Sequence, residues 1–324
     1  MMPGSHRSVA ARGRSASLSS ARTARDEGVD GHPTSPVINN QLHVYQGDWD
    51  QFHPTEFLLP RIEKSIVLDE VPFIARCRHE TDWKEARLRR KIQSLGHWEY
   101  YLEFAHGLTT RINGSFNERT MDFHRYRSRL ISETVAELLG PDLAGSTVLD
   151  LACHCGFSSL ALAERGVKQA HGIDVRAKNI AQAEFLRGYY GFENLSFERK
   201  NVFRLAREEK THDVVLCLGL LYHVTQPIEL LELCKRLARK FVVIETICHK
   251  QPIAGYLLAT GKNTQVAIEG TRSLEFQPTY RGLVSSFKNL GFDGIIEVTG
   301  VCEQPVELFS ESLRRCFIWR VPEQ

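Results

Sequence analysis

The sequence STVLDLACHCGFSSLALAERG, residues 146–166, decides the fold. Its first apolar residues, 147–152, predict a buried strand, and the small and apolar residues at 157–165 predict a helix. Only a tight loop fits between the two elements. A strand, a tight loop and a helix in this order commonly place a nucleotide-like cofactor at the carboxyl end of a parallel sheet.

The loop has an unusual composition for such a site. Backbone in a tight loop of this kind adopts left-handed conformations, which glycine tolerates best, yet only Gly156 is a glycine. His154 belongs to a residue type that is enriched at positive φ, and Ala152 is the smallest residue that carries a Cβ. We therefore expect a cofactor-binding turn, with a metal site or a plain core turn as the alternatives.

Apolar strands and amphipathic helices alternate through the remainder of the chain. Continuous apolar runs such as DVVLCLGLL and KFVVIE predict strands buried on both faces, which is typical of a parallel sheet. The last two strands should form an antiparallel closing hairpin. The predicted fold class is α/β, with a doubly wound, mostly parallel, seven-stranded sheet. After the first, the predicted strands are 170–174, 194–198, 213–218, 240–246, 294–299 and 315–320, and the helices are 177–190, 227–239 and 279–290.

The chain before this pattern divides into two segments. Residues 1–36 are rich in Ser, Arg and Gly, so we expect a disordered tail, with a transit peptide as the alternative. Residues 37–127 are predicted to form an N-terminal helical extension that acts as a lid. One helix should start at an Asp82 cap, and a second, DFHRYRSRLISETVAELLG, should end at Gly140. Residues 128–324 then form the cofactor-binding domain.

Composition and charge limit the classes of function. With 42% hydrophobic and 25% charged residues, the chain resembles an ordinary globular protein. The net charge of +2 arises within residues 1–36, and the 36 basic and 36 acidic residues elsewhere cancel, which argues against a large nucleic-acid surface. Because no apolar run reaches the roughly 18 residues of a bilayer span and no secretion signal is evident, we expect a cytoplasmic protein without membrane contact.

The eight cysteines are scattered, mostly in apolar runs, and no pair has CxxC spacing. This pattern favours reduced, buried thiols over a disulfide framework. Cys153 and Cys155 flank His154, but adjacent residues cannot close a tetrahedral metal site without distant partners. We therefore predict no metal.

The second predicted strand ends in an acid that indicates the kind of cofactor. Asp174 follows Gly156 by 18 residues, a spacing at which a strand-end carboxylate accepts hydrogen bonds from ribose hydroxyls. A dinucleotide would require a G-x-G-x-x-G loop around its pyrophosphate, which ACHCGF does not provide. Asp150 would repel a pyrophosphate but attract an ammonium and a sulfonium. These residues favour S-adenosylmethionine (SAM).

Four segments in this order resemble the motifs of class I SAM-dependent methyltransferases, which have a Rossmann-like fold. They are VLDLACHCGFSSLAL, GIDV, KNVFRL and DVVLCLGLLYHVTQPIELL, and the resemblance covers about residues 120–320. The segments GLLYH, QPTYRGLVSSFKNLGF and RRCFIWR also resemble a narrower group, related to the carboxymethyltransferase that acts on the wobble uridine of tRNA. The resemblance implies a methyltransferase with SAM as its cofactor.

The resemblance also assigns roles to residues. The turn after the first strand would face the methionine part of SAM, and Asp174 its ribose. Asn201 stands where an acid usually binds the adenine amino group, so that contact would lack a charge. Gly219 would lie beside the sulfonium. The predicted cofactor-binding residues are Asp150, Ala152, His154, Gly156, Phe157, Asp174, Val175, Asn201, Val202, Leu218 and Gly219.

Tyr222 and His223 follow the fourth predicted strand, where the acceptor should meet the methyl group, and are the predicted catalytic residues. His223 is a candidate general base, the alternative being that it points away and bonds the backbone. Tyr222 and Arg315 resemble the pair that contacts the carboxylate of carboxylated SAM in the tRNA enzyme. Arg315 and His124 are the predicted substrate-binding residues. The aromatic run HWEYYLEF offers either acceptor contacts or packing under a lid.

An ordinary methyl donor is favoured over carboxylated SAM. The segment that supplies a further cofactor-binding lysine in the tRNA enzyme has no counterpart in SLGHWEYYLEFAHGLTT. We expect methyl transfer to a hydroxyl or ring atom of a small-molecule acceptor such as a sugar or secondary metabolite. The alternatives are a tRNA wobble-uridine methyl- or carboxymethyltransferase, to which the basic RLRRK at 87–91 would contribute, and a non-catalytic SAM-binding protein. The sequence does not indicate an oligomeric state.

Overall fold

The computed structural model describes residues 59–66, 82–260, 274–301, 306, 309 and 313–322, which all lie in the unit Phe52–Gln324. The tail predicted at residues 1–36 lies outside them. The helices of the described part are α1 Glu85–Ser94, α2 Glu118–Leu139, α3 Phe157–Glu164, α4 Ala177–Tyr190, α5 Pro227–Leu237 and α6 Tyr280–Asn289. Its strands are β1 Arg61–Ser65, β2 Thr147–Leu151, β3 Gln169–Asp174, β4 Leu195–Arg199, β5 His212–Leu218, β6 Ala238–Ile247, β7 Tyr256–Thr260, β8 Leu274–Pro278, β9 Ile296–Val301 and β10 Arg314–Arg320.

Eight strands form one sheet in the order β1–β9–β10–β6–β5–β2–β3–β4. Strand β10 is antiparallel to its neighbours β6 and β9, and the other pairs are parallel. The α/β class and the mostly parallel sheet are therefore confirmed. Because the strand order reverses between β2 and β5, their carboxyl ends meet at the switch point where ligands bind in such sheets.

The central strand β5 shows why this sheet is parallel and buried. Val214 and Leu216 pack into an apolar core with α2, α3 and α4, whereas Val215 and Cys217 pack into a second core with α5 and α6. Successive side chains of a strand point to opposite faces, so helices cover both faces of the sheet. This double burial explains the continuous apolar run DVVLCL.

The predicted start of α1 is wrong. The helix begins at Glu85, and its N-cap is Lys84, whose side chain makes no capping bond. In the first turn the amides of Arg87 and Leu88 donate to the carbonyl of Lys84, and Asp82 lies outside the helix. The apolar periodicity located this helix correctly, but the capping pattern placed its first turn too early.

Helix α2 also differs from its prediction, because it begins four residues before DFHRYR. Asn117 caps it by accepting a hydrogen bond from the amide of Thr120 at 2.8 Å. The closing hairpin is confirmed, since β9 pairs antiparallel with β10. At the far edge, β1 adds an eighth strand, with the sequence RIEKS. Its mostly exposed, charged residues give no apolar alternation from which to predict a strand, and they suit a sheet edge.

The segment before α2 is hydrogen-bonded to helix α4 of the domain that follows it. The side chain of Gln182 on α4 donates to the carbonyls of Leu95 and His97 at 3.1 and 2.9 Å. The hydroxyl of Tyr190, also on α4, donates to the carbonyl of Glu103 at 2.7 Å. These contacts place the segment against α4, and the boundary near residue 127 stays a prediction.

None of the helices in the described ranges combines the length and apolarity that a bilayer crossing requires. The cytoplasmic location stays a prediction.

Candidate active site

The turn after β2 adopts three left-handed backbone conformations at alternate residues. Ala152, His154 and Gly156 have φ values of 57°, 55° and 80°. The expectation that alanine and histidine replace glycines in a left-handed turn is therefore confirmed. Non-glycine residues at positive φ are strained, and such strain concentrates at functional sites. The turn is held in place because the amide of Cys153 donates to the carbonyl of Ile173 on β3 at 2.9 Å.

Gly156 is required by packing as well as by its backbone angle. A Cβ at this position would lie 2.5 Å from Cζ of Phe197 on β4. The glycine therefore brings the start of α3 against the aromatic ring. This contact is with the protein's own side chain, and it accounts for the glycine without a cofactor.

We expect Gly156→Ala to lower the free energy of unfolding by about 1–3 kcal/mol, because it combines positive φ with a clash. Gly188→Ala is the matched control. Gly188 is an exposed residue within α4 with open space where a Cβ would lie, so alanine there should raise helix stability slightly. Urea unfolding of both variants measures the difference. Equal stability of the two variants would contradict this account of the turn.

Asp150 near the end of β2 is a buried carboxylate with one side-chain hydrogen-bond partner among the described residues. Its Oδ2 accepts a hydrogen bond from the hydroxyl of Ser159 on α3 at 2.7 Å, and the residue is 2% exposed. Burial raises the pKa of Asp150 to about 6, an effect that the Ser159 hydrogen bond opposes. A cation placed beside it would favour the ionised form.

Asp174 at the end of β3 is held by backbone amides. Its Oδ2 accepts from the amide of His154 at 3.1 Å, and its Oδ1 accepts from the amide of Arg176 at 2.8 Å. Burial raises the pKa of this carboxyl, while the bonds from Arg176, Asn179 and His154 lower it. Within the described ranges no salt bridge involves Asp174 or Asp150. Both carboxylates are thus buried at the switch point without a protein cation in contact.

His154 presents an unsatisfied polar atom. Its Nδ1 accepts a hydrogen bond from the amide of Cys155 at 2.7 Å, which places the ring proton on Nε2. Burial lowers the pKa of His154 to about 3, so the ring is neutral. Its Nε2 is buried and has no hydrogen-bond partner among the described residues. A buried donor without a partner is unfavourable in a folded protein, and a ligand atom would satisfy it.

Two arginines share one glutamate beside Gly219. Arg127 of α2 donates through Nε and Nη2 to Oε2 of Glu245 on β6, at 3.0 and 2.8 Å. Arg314 of β10 donates to Oε1 of the same glutamate at 2.7 Å and to the hydroxyl of Tyr222 at 2.6 Å. We call these four residues, Arg127, Glu245, Arg314 and Tyr222, the arginine cluster.

The arginine cluster is buried and carries one excess positive charge. Burial by itself lowers the pKa of a guanidinium, but the attraction of Glu245 outweighs it and raises the pKa of Arg127 and Arg314, so both stay charged. The cluster lies beside Gly219, where a Cβ would be 3.2 Å from Nη2 of Arg127. Gly219, at φ 68°, thus lets the backbone after β5 approach the guanidinium groups.

His124 lies at the margin of the arginine cluster. Its ring stacks on that of Tyr100, with centroids 4.5 Å apart. The hydroxyl of Tyr100 accepts a hydrogen bond from Nη1 of Arg127 at 3.2 Å. Burial, and then Arg127 and Arg314, lower the pKa of His124 to about 3, so it is neutral. Its Nδ1 is buried without a hydrogen-bond partner among the described residues. The substrate-binding role of His124 stays a prediction.

The hydroxyl of Tyr222 accepts a hydrogen bond from Arg314 and not from Arg315, the residue that the resemblance places with it. The substrate-binding role of Arg315 stays a prediction. Arg315 forms a salt bridge with Glu297 on β9 at 2.5 Å, and its guanidinium lies 4.3 Å from the ring centre of Tyr280. Neighbouring residues of a strand point to opposite faces of the sheet, so a shift of one residue exchanges the two arginines. Arg315 therefore has a protein partner away from Tyr222.

The remaining predicted cofactor residues lie at the carboxyl edge of the sheet. Phe157 stacks on Tyr100, with ring centroids 4.6 Å apart. Val175 is 40% exposed directly after Asp174, an apolar surface next to the predicted ribose site. Leu218, at the end of β5, is buried. Val202 is also buried and begins a 3₁₀ turn.

Asn201 is an exposed residue that caps this 3₁₀ turn. Its Oδ1 accepts a hydrogen bond from the amide of Phe203 at 3.0 Å. An amide oxygen has two lone pairs, so one acceptor position is left for the adenine contact. That contact stays a prediction.

His223 ends the 3₁₀ turn Leu221–His223 that follows β5. Its ring lies 4.1 Å from the ring of Tyr222, between centroids. Its Nδ1 lies 3.0 Å from Oε1 of Glu275 on β8. The catalytic role of His223 stays a prediction.

The aromatic run before α2 divides between core and site. Trp98 is fully buried and donates to the carbonyl of Ile92, so it belongs to the core. Phe104 packs on the tyrosines of α4, and Tyr101 lies against Phe116. Among the run's members, Tyr100 is the residue in contact with Arg127.

The thiols of the turn are inert core groups. Burial raises the pKa of Cys153 and Cys155 well above the usual range, so neither is a ready thiolate ligand. The six cysteines in the described part of the chain are buried and unpaired, as the scattered pattern predicts.

Four residues of the site were not predicted from the sequence. Glu245 and Arg314 are charged residues within apolar strand sequences. Because a buried charge requires a partner, their positions in the sequence could have indicated an ion pair. Arg127 lies on α2 and is 8% exposed. Glu275 gave no signal, because nothing in its sequence places it beside His223.

The fold is that of a Rossmann-like methyltransferase domain. The N-terminal domain of EvdMO1, crystallised in the presence of SAH and D-fucose, matches 76% of the chain and its own full length with a TM-score of 0.58 at 20% identity. Residues 142–276 match the family model described as a methyltransferase domain. The resemblance to class I SAM-dependent methyltransferases is confirmed for this domain, and the narrower group stays a prediction.

Curated relatives match part of the chain. A ubiquinone biosynthesis O-methyltransferase of Nitrosospira multiformis is 35% identical over 100 residues, 30% of this chain and 40% of the relative. A tRNA U34 carboxymethyltransferase of Idiomarina loihiensis is 30% identical over 166 residues, 48% of this chain and 47% of the relative. The chain thus spans less than half the length of these relatives.

The residues at the switch point fit SAM. Its ammonium and sulfonium are cations, and Asp150 and Asp174 are buried carboxylates without a salt bridge in the described ranges. The unsatisfied Nε2 of His154 offers a donor to a ligand oxygen. Three groups already donate to Asp174, so of about four lone-pair positions one is left for a ribose hydroxyl.

Proposed function

We propose that this chain transfers a methyl group from SAM to a hydroxyl or ring atom of a small-molecule acceptor. The observation that carries the proposal is the pair of buried carboxylates, Asp150 and Asp174, that flank a left-handed turn at the switch point without a salt bridge in the described residues. Buried carboxylates without a salt bridge are unfavourable. The ammonium and sulfonium of SAM would compensate the charge of Asp150, and a ribose hydroxyl would donate to Asp174.

In this proposal SAM supplies an electrophilic methyl group, whose bond to sulfur breaks as the acceptor's lone pair forms the new bond. The chain's own residues bind and align. Asp150 faces the positive methionine end, Asp174 accepts from the ribose, and Gly219 leaves space for the reacting centre. Alignment accounts for most of the rate gain in such displacements. Tyr222 and His223 then contact the acceptor, and His223 takes its proton when it is a hydroxyl.

A second donor is favoured by one observation. The arginine cluster holds one excess positive charge beside Gly219, where a carboxylate on the transferred group would be attracted. Carboxymethyl transfer is therefore the alternative, and tRNA is its possible acceptor, as the name of the Idiomarina relative indicates for that protein. The absence of a counterpart to the lysine segment keeps methyl transfer as the first proposal.

Formation of S-adenosylhomocysteine tests these proposals. Purified full-length protein is incubated with SAM, or with carboxylated SAM, and a panel of sugars, phenols and unmodified tRNA, with D-fucose as the first sugar. Turnover of SAM with a sugar or phenol supports the first proposal, and selective turnover of carboxylated SAM supports the second. SAM binding without turnover on any acceptor favours a non-catalytic binding protein. For tRNA, binding should weaken steeply with salt because phosphate contacts release counterions.

A further inference from the structure

His223 and Glu275 form a contact between two elements that are distant in sequence. The imidazole of His223 follows β5, and its side chain is 14% exposed. Glu275 lies on β8, in the small sheet with β7, and its side chain is 10% exposed. Oε1 of Glu275 lies 3.0 Å from Nδ1 of His223. The pair does not have hydrogen-bond geometry, so Glu275 acts on the ring through its charge, and a carboxylate this close favours the protonated imidazolium.

Glu275 is itself fixed from its other side. The side-chain amide of Gln277 donates to Oε2 of Glu275 at 2.7 Å. The amide oxygen of Gln277 pairs with Nε2 of His249, and the backbone amide of His249 donates to the carbonyl of Pro278 at 2.8 Å. This chain of contacts ties β8 to the segment after β6. The hydrogen bond from Gln277 keeps the carboxylate of Glu275 beside the imidazole.

The contact between His223 and Glu275 matters because His223 adjoins the candidate active site. Its ring lies against Tyr222, whose hydroxyl belongs to the arginine cluster beside Gly219. The turn that carries His223 packs against β6, α5 and β8. Other carboxylates lie on these elements. Glu245 of β6 is bound by Arg127 and Arg314, and Glu229 of α5 is exposed.

We propose that Glu275 is the positioning residue for His223 as general base. The proposal rests on the methyl transfer proposed above. When an acceptor hydroxyl forms its bond to the methyl carbon and the carbon–sulfur electron pair remains on sulfur, the hydroxyl proton passes to the imidazole of His223. The imidazole thereby becomes an imidazolium, and the nearby carboxylate of Glu275 stabilises the new positive charge.

Titration of His223 by NMR, without any ligand, tests the contact directly. The resonance is assigned by its loss in His223→Asn and followed with pH in the wild type, Glu275→Gln and the control Glu229→Gln. Because the carboxylate favours imidazolium, Glu275→Gln should move the titration midpoint of His223 to lower pH, whereas Glu229→Gln should leave it unchanged. A midpoint that is the same in Glu275→Gln and the wild type overturns the proposal. Glu275→Asp, which keeps the charge, should restore part of the effect if Glu275→Gln folds poorly.

Turnover tests the role in catalysis. With a hydroxyl acceptor that gives S-adenosylhomocysteine in the wild type, Glu275→Gln should lower kcat at least about 10-fold, with KM for SAM unchanged. An unchanged kcat and pH profile would overturn the positioning role even if the NMR shift is found. If the wild type turns over no acceptor, the methyltransferase proposal fails, and the NMR titration still decides whether Glu275 controls the imidazole.

Discussion

Glu245→Gln is expected to lower the free energy of unfolding by about 3–5 kcal/mol, the largest stability loss that this structure indicates. Glu245 is fully buried and accepts hydrogen bonds from Arg127 and Arg314. Glutamine keeps the shape but removes the negative charge, so two buried guanidinium groups are left without a counterion. For a domain of this size, such a loss corresponds to about 10 °C in Tm.

The excess charge of the cluster gives this prediction a sharp control. Arg314→Met leaves a neutral pair, Arg127 with Glu245, and should therefore destabilise the protein by less than half as much as Glu245→Gln. Glu198→Gln removes an exposed glutamate and should change stability by less than about 1 kcal/mol. Urea unfolding of the three variants measures the order. A larger loss for Arg314→Met than for Glu245→Gln would contradict the charge balance described for the cluster.

Asp150→Asn should have two opposite effects, with stability rising and SAM affinity falling. Burial raises the pKa of Asp150 to about 6 in the folded chain, against 3.8 for an ordinary aspartate. The folded state therefore binds more protons than the unfolded state between about pH 4 and 6, and its stability decreases as the pH rises through that range. At pH 7 the ionised carboxylate destabilises the fold by about 3 kcal/mol, and asparagine should recover about 1–3 kcal/mol of it.

The same change should weaken SAM binding by about 10–100-fold, because a charged hydrogen bond to the cofactor is lost. Urea unfolding at pH 4 and 7, together with calorimetric titration of SAM, measures both effects. The gain in stability should vanish at pH 4. Asp142→Asn, at an exposed salt bridge with Lys240, is the control and should alter neither quantity appreciably. A stability loss in Asp150→Asn at pH 7 would show that the carboxylate is not a strained, ligand-directed group.

Much of the fold could be predicted because its signals are local. Strand β5 is buried on both faces, so its sequence is continuously apolar, and α4 has the boundaries that its periodicity indicates. The turn after β2 could be predicted for a similar reason, since His154 and Gly156 are residue types that tolerate positive φ. Strand β1 could not, because an exposed edge strand of charged residues has no apolar alternation.

The candidate site was predicted less completely, because its contacts are long-range. Arg314 and Arg315 are neighbours in sequence, and only the register of β10 against β6 decides which of them faces Tyr222. Glu245 stands in an apolar strand, where the need for a partner could have been recognised, but the identity of that partner depends on α2 and β10. Glu275 meets His223 only because β8 packs beside the turn after β5.

The central claim is that the turn after β2 and the acid that ends β3 bind SAM. Calorimetric titration of SAM into the wild type and Asp174→Ala, each shown to be folded by circular dichroism, tests it most directly. We expect saturable one-site binding by the wild type and a loss of at least about 10-fold in Asp174→Ala, because a carboxylate–hydroxyl hydrogen bond is removed. No binding by the wild type, or equal affinity in the variant, would contradict the account.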